Sequence, residues 1–229
     1  QGHKDGIYLE KANNSFVYRN FSEKNLRYGL HFMFSHNNVY TANVFKNNDA
    51  GIAVMYSRNV GMFKNKFLEN WGDGVYGLLL KDLTFSKIKN NIFRNNTVGI
   101  FMDSASKVDL YHNEFVNNGW GLKINANCME NRLMNNNFEN NTFDVSTSGS
   151  LVMNSFRNNY WDQYEGYDLD KDKIGDVPFH PLSLYAVLAE KNSMIMLLYR
   201  TFFVEILDRS EKLVPSLTPE NFVDEQPMM

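Results

Sequence analysis

A glycine followed by an apolar residue recurs along this chain at Gly6-Ile7, Gly29-Leu30, Gly51-Ile52, Gly77-Leu78, Gly99-Ile100 and Gly121-Leu122, at intervals of 23, 22, 26, 22 and 22 residues. A period of that length marks stacked, near-identical units, because one such unit has no second layer against which to bury its apolar face. An Asn-x-Phe signal keeps the same beat at Asn43-Val44-Phe45, Asn65-Lys66-Phe67, Asn91-Ile92-Phe93 and Asn113-Glu114-Phe115, and Asn136-Asn137-Phe138 and Asn154-Ser155-Phe156 continue it. After each glycine the apolar positions alternate: Leu30 and Phe32, Ile52 and Val54, Leu78 and Leu80, Ile100 and Met102, Leu122 and Ile124. That period of two belongs to a strand with one buried face. A helical repeat needs apolar spacings of three and four through long segments, and the Asn-Asn, Asn-Gly and Asp-Gly pairs interrupt any such run. The pattern predicts an all-β chain, a right-handed parallel β-helix whose coils hold about 22–23 residues. Its core faces carry Leu30, Phe32, Ile52, Val54, Leu78, Leu80, Ile100 and Leu122.

Asparagine suits such turns, since it tolerates left-handed backbone and can hydrogen-bond to asparagine one coil away. The phenylalanines of the Asn-x-Phe signal are expected to stack inside the coils. The long interval contains Glu69-Asn70-Trp71-Gly72-Asp73-Gly74, which predicts a loop projecting between the third and fourth coils. A dense interior must coexist with a very polar surface, because aromatic residues make up 14% of a chain whose mean hydropathy is −0.42. A net charge of −3 and a pI near 6.0, with no basic stripe, argue against nucleic acid as a partner. The single cysteine, Cys128, cannot form an internal disulfide. The chain opens in the middle of a repeat, which predicts further sequence upstream.

Function must be sought on what projects outward. At two residues past each glycine the stack reads Tyr8, His31, Ala53, Leu79, Phe101, Lys123; at four past it reads Glu10, Met33, Met55, Lys81, Asp103, Asn125. Adjacent coils lie about 4.8 Å apart, so Met33 and Met55 are expected as outward neighbours, with His31 one pleat away and His36 in the turn that follows. Thioether and imidazole donors make a soft site suited to Cu(I). Exposed methionine also suits a patch covered by a partner.

The succession Tyr28-Gly29-Leu30-His31-Phe32-Met33-Phe34-Ser35-His36-Asn37-Asn38, Gly51-Ile52-Ala53-Val54-Met55-Tyr56-Ser57 and Gly77-Leu78-Leu79-Leu80-Lys81-Asp82 resembles successive signatures of the NosD family. Asn159-Tyr160-Trp161-Asp162 and Tyr164-Glu165-Gly166-Tyr167-Asp168-Leu169-Asp170 resemble its closing motif, so the likeness spans roughly residues 5–181. The resemblance implies a periplasmic, non-enzymatic accessory protein that works with an ABC transporter permease and a copper donor protein in maturing the copper site of nitrous oxide reductase during denitrification. It supplies no ligand set. Met33, Met55, His31 and His36 are candidates for transient Cu(I) from the coil register alone.

The run Asp168-Leu169-Asp170-Lys171-Asp172-Lys173-Ile174-Gly175-Asp176 sets carboxylates at alternate positions and another four residues on, like the start of a calcium loop. Lys173 stands where such a loop needs glycine, and Phe179 stands at the twelfth position in place of a bidentate Glu, which excludes an EF-hand. The two readings are a shortened Ca²⁺ or Mg²⁺ site on Asp168, Asp170, Asp172 and Asp176, and a solvated acidic turn.

Past Pro181 the repeat stops. Leu182, Tyr185, Leu188 and Ala189 suit one helical face, and Met194 to Ile206 is apolar except at Arg200 and Glu205, shorter than the roughly 20 residues of a membrane span. The organisation predicted is a β-helix over 1–160, an acidic loop over 161–181 and a helical cap or partner-docking segment over 182–229, with an extended tail from Leu213 to Met229. The competing function is a carbohydrate-binding or polysaccharide-modifying β-helix. Glycoside hydrolysis needs paired carboxylates, whereas Asp103 shares its outward row with Lys81 and Asn125.

Overall fold

The computed structural model describes residues 1–149, 153–198, 201–204, 206–207 and 222–229. It is a parallel β-solenoid of about seven turns, as the repeat predicts. One row of strands runs Asp5–Glu10, Tyr28–Met33, Ala50–Arg58, Tyr76–Lys89, Val98–Asp103, Trp120–Ile124 and Phe143–Thr147, each paired in parallel with the next. A second row holds Phe16–Tyr18, Val39–Thr41, Gly61–Phe63, the end of Tyr76–Lys89, Ser106–Tyr111, Arg132–Met134 and Ser155–Arg157. The third runs from Phe21–Glu23 through Val44–Lys46, Lys66–Leu68, Ile92–Arg94, Glu114–Val116 and Asn137–Glu139 to Tyr160–Trp161. Each coil thus presents three faces, and the register advances one coil per repeat.

All eight expected core residues are completely buried. The glycines that open the first row are needed because the backbone of the next coil passes so close: a Cβ on Gly51 would lie 2.5 Å from the Gly77 carbonyl oxygen and 2.8 Å from the Phe67 ring. Inside, Phe45, Phe67, Phe93, Phe115 and Phe138 stack ring on ring, with centroids 4.6 to 5.6 Å apart. The next ring in this stack is Trp161, 4.3 Å from Phe138, and not Phe156. Phe156 belongs to the second row, opposite Leu133, because the true continuation of the Asn-x-aromatic beat is Asn159-Tyr160-Trp161.

Two asparagine ladders flank this stack. In one, the side-chain amides of Asn20, Asn43, Asn65, Asn91, Asn113 and Asn136 each donate at 3.0 Å to the Oδ1 of the asparagine one coil on, ending at Asn159. The same Oδ1 takes the backbone N–H of its predecessor, so each buried amide closes its own turn and ties it to the next. Both ladders end on a carboxylate. Asn159 donates to Asp224 at 2.9 Å, and Asn141, the last rung of the other, donates to Asp144 at 3.1 Å.

The C-terminal segment divides the capping task differently from the sequence expectation. The open end of the solenoid is covered by Trp161, Phe179 and the returning tail: Asp224 bridges Phe156 and Phe179, and Met228 bridges Tyr160 and Ile174. The helix Leu184–Lys191, N-capped by the Ser183 hydroxyl, lies instead on the flank. Its Tyr185 ring packs 5.4 Å from Phe143 of the seventh coil, and Glu190 meets Lys123 at 2.6 Å. The flank offers the helix an aromatic contact in Phe143 and polar partners for Glu190 in Lys123 and Ser146. The buried face is Leu182, Tyr185, Ala186 and Ala189, with Leu188 only half-buried. Arg200, Glu205 and the expected extension from Leu213 to Glu220 lie outside the described residues. Among those described, no helix is long and apolar enough to cross a membrane.

Candidate metal centre

Strand pairing sets Met33 directly opposite Met55, and His31 opposite Tyr8 on one side and Ala53 on the other. Both methionines are half-buried on the outward face, between the fully buried Phe32 and Val54 and the exposed turn. Phe34 and Tyr56 follow them at the turn, stacked 5.0 Å apart within 11° of parallel and exposed to solvent. Both adopt left-handed backbone, which is costly for a bulky side chain.

His31 departs from the expectation of an open surface ligand. It projects on the outward face yet is 4% exposed, enclosed by Tyr8, with ring centroids 5.3 Å apart, and Tyr28, at 4.8 Å. Neither ring nitrogen has a hydrogen-bond partner, and Nδ1 stands 3.6 Å from Asp5 Oδ2, a carboxylate that the Arg27 guanidinium already grips through two hydrogen bonds. Burial, opposed by the nearby Asp5 charge, lowers the His31 pKa, which favours the neutral imidazole a metal needs. The enclosing residues were within reach of the sequence, since Tyr28 precedes the repeat glycine by one and Tyr8 follows it by two. What was missed is that the residue before the glycine also faces outward.

His36 lies beyond the strand, in the corner turn. Its backbone N–H donates to Asn13 Oδ1 and its carbonyl accepts from Asn14, while ring Nδ1 is buried without a partner. The fold therefore brings Met33 and Met55 together, sets His31 one pleat away behind tyrosines, and puts His36 around the corner.

In the acidic loop, oxygens of Asp168, Asp170 and Asp172 gather within 4.8 Å of one another. Asp176 is turned to another task, accepting the Leu169 N–H at 2.8 Å. Asp168 accepts N–H groups from Lys171, Asp172 and Lys173. Desolvation raises the Asp168 pKa, but the hydrogen bonds from Lys173, Lys171 and Asp172 together outweigh it and hold the carboxyl low, while the Asp172 charge raises that of Asp170. Lys171 and Lys173 both take positive φ, 63° and 71°, the conformation glycine supplies without strain.

The family model described as "Periplasmic copper-binding protein (NosD)" matches residues 1–166, the whole solenoid. The chain belongs to the NosD family. Two curated relatives carry the description "Probable ABC transporter binding protein NosD". That of Stutzerimonas stutzeri is 27% identical over 112 residues, and that of Pseudomonas aeruginosa 28% over the same length. Each alignment covers 48% of this chain and 26% of the relative, so this NosD-family chain spans about a quarter of their length. Among solved structures, the A-module of mannuronan C-5 epimerase AlgE4 from Azotobacter vinelandii aligns with a TM-score of 0.56 at 18% identity, over 68% of this chain and 51% of its own. The periplasmic alginate epimerase AlgG aligns at 0.54 and 16%, over 76% of this chain and 39% of its own. At that identity the likeness is one of fold.

Proposed function

We propose that this NosD-family chain is a non-enzymatic periplasmic component that holds Cu(I) transiently on Met33 and Met55, with His31 as the neighbouring imidazole and His36 at the margin, and works with an ABC transporter in maturing nitrous oxide reductase. The observation that carries the reading is the in-register stacking of Met33 on Met55 on an outward face. Two thioethers one coil apart suit a soft ion that accepts low coordination, and a buried imidazole whose ring nitrogens make no hydrogen bond is the neighbouring donor. Copper here is cargo, and a half-buried site at a solvent edge stays reachable by a donor or acceptor.

Replacing Met33 and Met55 together by Leu keeps the apolar volume and removes both sulfurs. The variant is expected to keep its circular dichroism and melting temperature, to bind Cu(I) roughly tenfold or more weakly against a competing chelator, and to fail in supporting enzyme maturation in cells. Parent-like binding and maturation would make the methionines a contact patch. A polysaccharide-modifying activity finds less support. The two asparagine amides on Asp103, from Asn127 and Asn125, hold its pKa below the usual range, the opposite of what a general acid needs.

The acidic loop supports a second, structural ion. A Ca²⁺ or Mg²⁺ at Asp168, Asp170 and Asp172 would offset their mutual repulsion where the chain leaves the solenoid. Replacing Lys171 and Lys173 by Gly removes two cations and two left-handed lysines, so the variant is expected to gain more thermal stability from millimolar calcium than the parent does. Equal melting temperatures in calcium and in chelator, for both proteins, leave a solvated turn.

A further inference from the structure

The second strand row carries a groove on its outward face that has no part in the Met33 and Met55 site, lined by Phe85, Lys87, Lys107, Asp109, Glu130 and Arg132. It runs along the solenoid axis over successive coils, since Lys87 pairs with Asp109 and Asp109 with Arg132 in register. The turn beside it changes character where the groove begins. Asn14, Asn37 and Asn59 fill the left-handed position in the first three coils, and Phe85, Lys107 and Glu130 fill it in the next three, with φ between 51° and 57°. Asparagine takes that backbone more readily than phenylalanine, so Phe85, like Phe34 and Tyr56, holds a less favoured conformation, and the residue is 60% exposed.

The groove's charges are arranged as well as its ring. Lys107 Nζ lies 5.0 Å over the Phe85 ring and 3.8 Å from Glu130, and Arg132 grips Asp109 through two bonds of 2.7 Å. Lys87 is exposed and has no counter-ion among the described residues. We infer that this groove binds a carboxylated oligosaccharide. A sugar ring offers its C–H face to Phe85, its hydroxyls donate to Asp109 and Glu130, and its carboxylate meets Lys87. The two groove carboxylates oppose a phosphate backbone, whose charge is denser and which carries few donors to satisfy them. A uronate chain alternates one charge with several hydroxyls, at a repeat close to the spacing of the coils.

The test uses the full chain and measures binding of short oligogalacturonates and oligomannuronates, with neutral maltooligosaccharides and a polyglutamate peptide alongside. The parent is expected to bind an acidic oligosaccharide, more weakly as salt rises, and to ignore the neutral sugar. Phe85→Asn installs the residue the earlier turns use, so its melting temperature should hold or rise while sugar binding falls roughly tenfold or more. Lys87→Gln should erase the preference for acidic over neutral sugar, and neither variant should alter the Cu(I) titration. Absence of uronate binding by the parent, equal binding of neutral sugar, or binding of the peptide alone would overturn the assignment. So would a Phe85→Asn variant that melts lower than the parent, which would make the ring structural, or one that binds uronate unchanged.

Discussion

Replacing Asp224 by Ala is expected to destabilise the chain by about 4 kcal/mol or more. Its carboxylate accepts from the backbone N–H groups of Asn158, Asn159 and Gln226, the Asn159 side-chain amide and the Trp161 indole, at 2.9 to 3.2 Å, and is itself fully buried. A buried donor stripped of its acceptor costs roughly 1–3 kcal/mol, and three of these donors are buried. The damage also spreads, because Asn159 is the last rung of a ladder that reaches back to Asn20. Against a total stability of roughly 5–15 kcal/mol, the Ala variant should unfold at much lower denaturant. Asp224→Asn keeps one acceptor oxygen on the same stem and should fall between the two. A loss under about 1 kcal/mol for Ala would mean that the tail merely rests on the solenoid.

The coil period, the strand register and the core residues could be read directly because each is a local spacing repeated several times. One-residue errors in a repeat would have turned Leu30 or Ile52 outward, and the recurrence excludes them. The register in turn placed Met33 opposite Met55. Features that break the repeat were hidden for the same reason. Asp224 lies 65 residues after Asn159 and belongs to no beat, so nothing in its own neighbourhood marks it as the last acceptor of the ladder. The enclosure of His31 depends on Asp5, Tyr8, Arg27 and Tyr28 converging from two coils, which alternation within one strand does not reveal. The helix was legible as a helix through its apolar spacing, but neither its Ser183 cap nor its place on the flank was read. That place is decided by the outward side chains of Phe143, Lys123 and Ser146, two of them in the coil where Asp144 replaces the repeat glycine and the outward rows could no longer be counted from it.

Asp144→Asn is expected to do the reverse of the Asp224 change and stabilise the chain at neutral and alkaline pH. Asp144 stands opposite Gly121, at the position where each of the preceding coils has its glycine. Its side chain is therefore shut inside, with the Asn141 amide as a hydrogen-bond donor. Burial, partly offset by that hydrogen bond, pushes its pKa up from 3.8 to about 7, and the charge of Asp162 adds to the rise. Between those two values the folded chain keeps a proton that the unfolded chain has released. Stability is thus undiminished below the lower value, falls as pH rises through the window, and levels off above it, at a total cost on the order of 4 kcal/mol. Asparagine accepts the same bond from Asn141 and never ionises, so it extends the ladder by one neutral rung. The variant should gain a few kcal/mol at pH 8 by chemical denaturation, and little or nothing near pH 4. Its profile should lose most of the decline that the parent shows between these points. Parallel profiles for the two proteins would mean that Asp144 reaches water or a cation when it ionises, and that the second ladder ends on a charge the fold can carry.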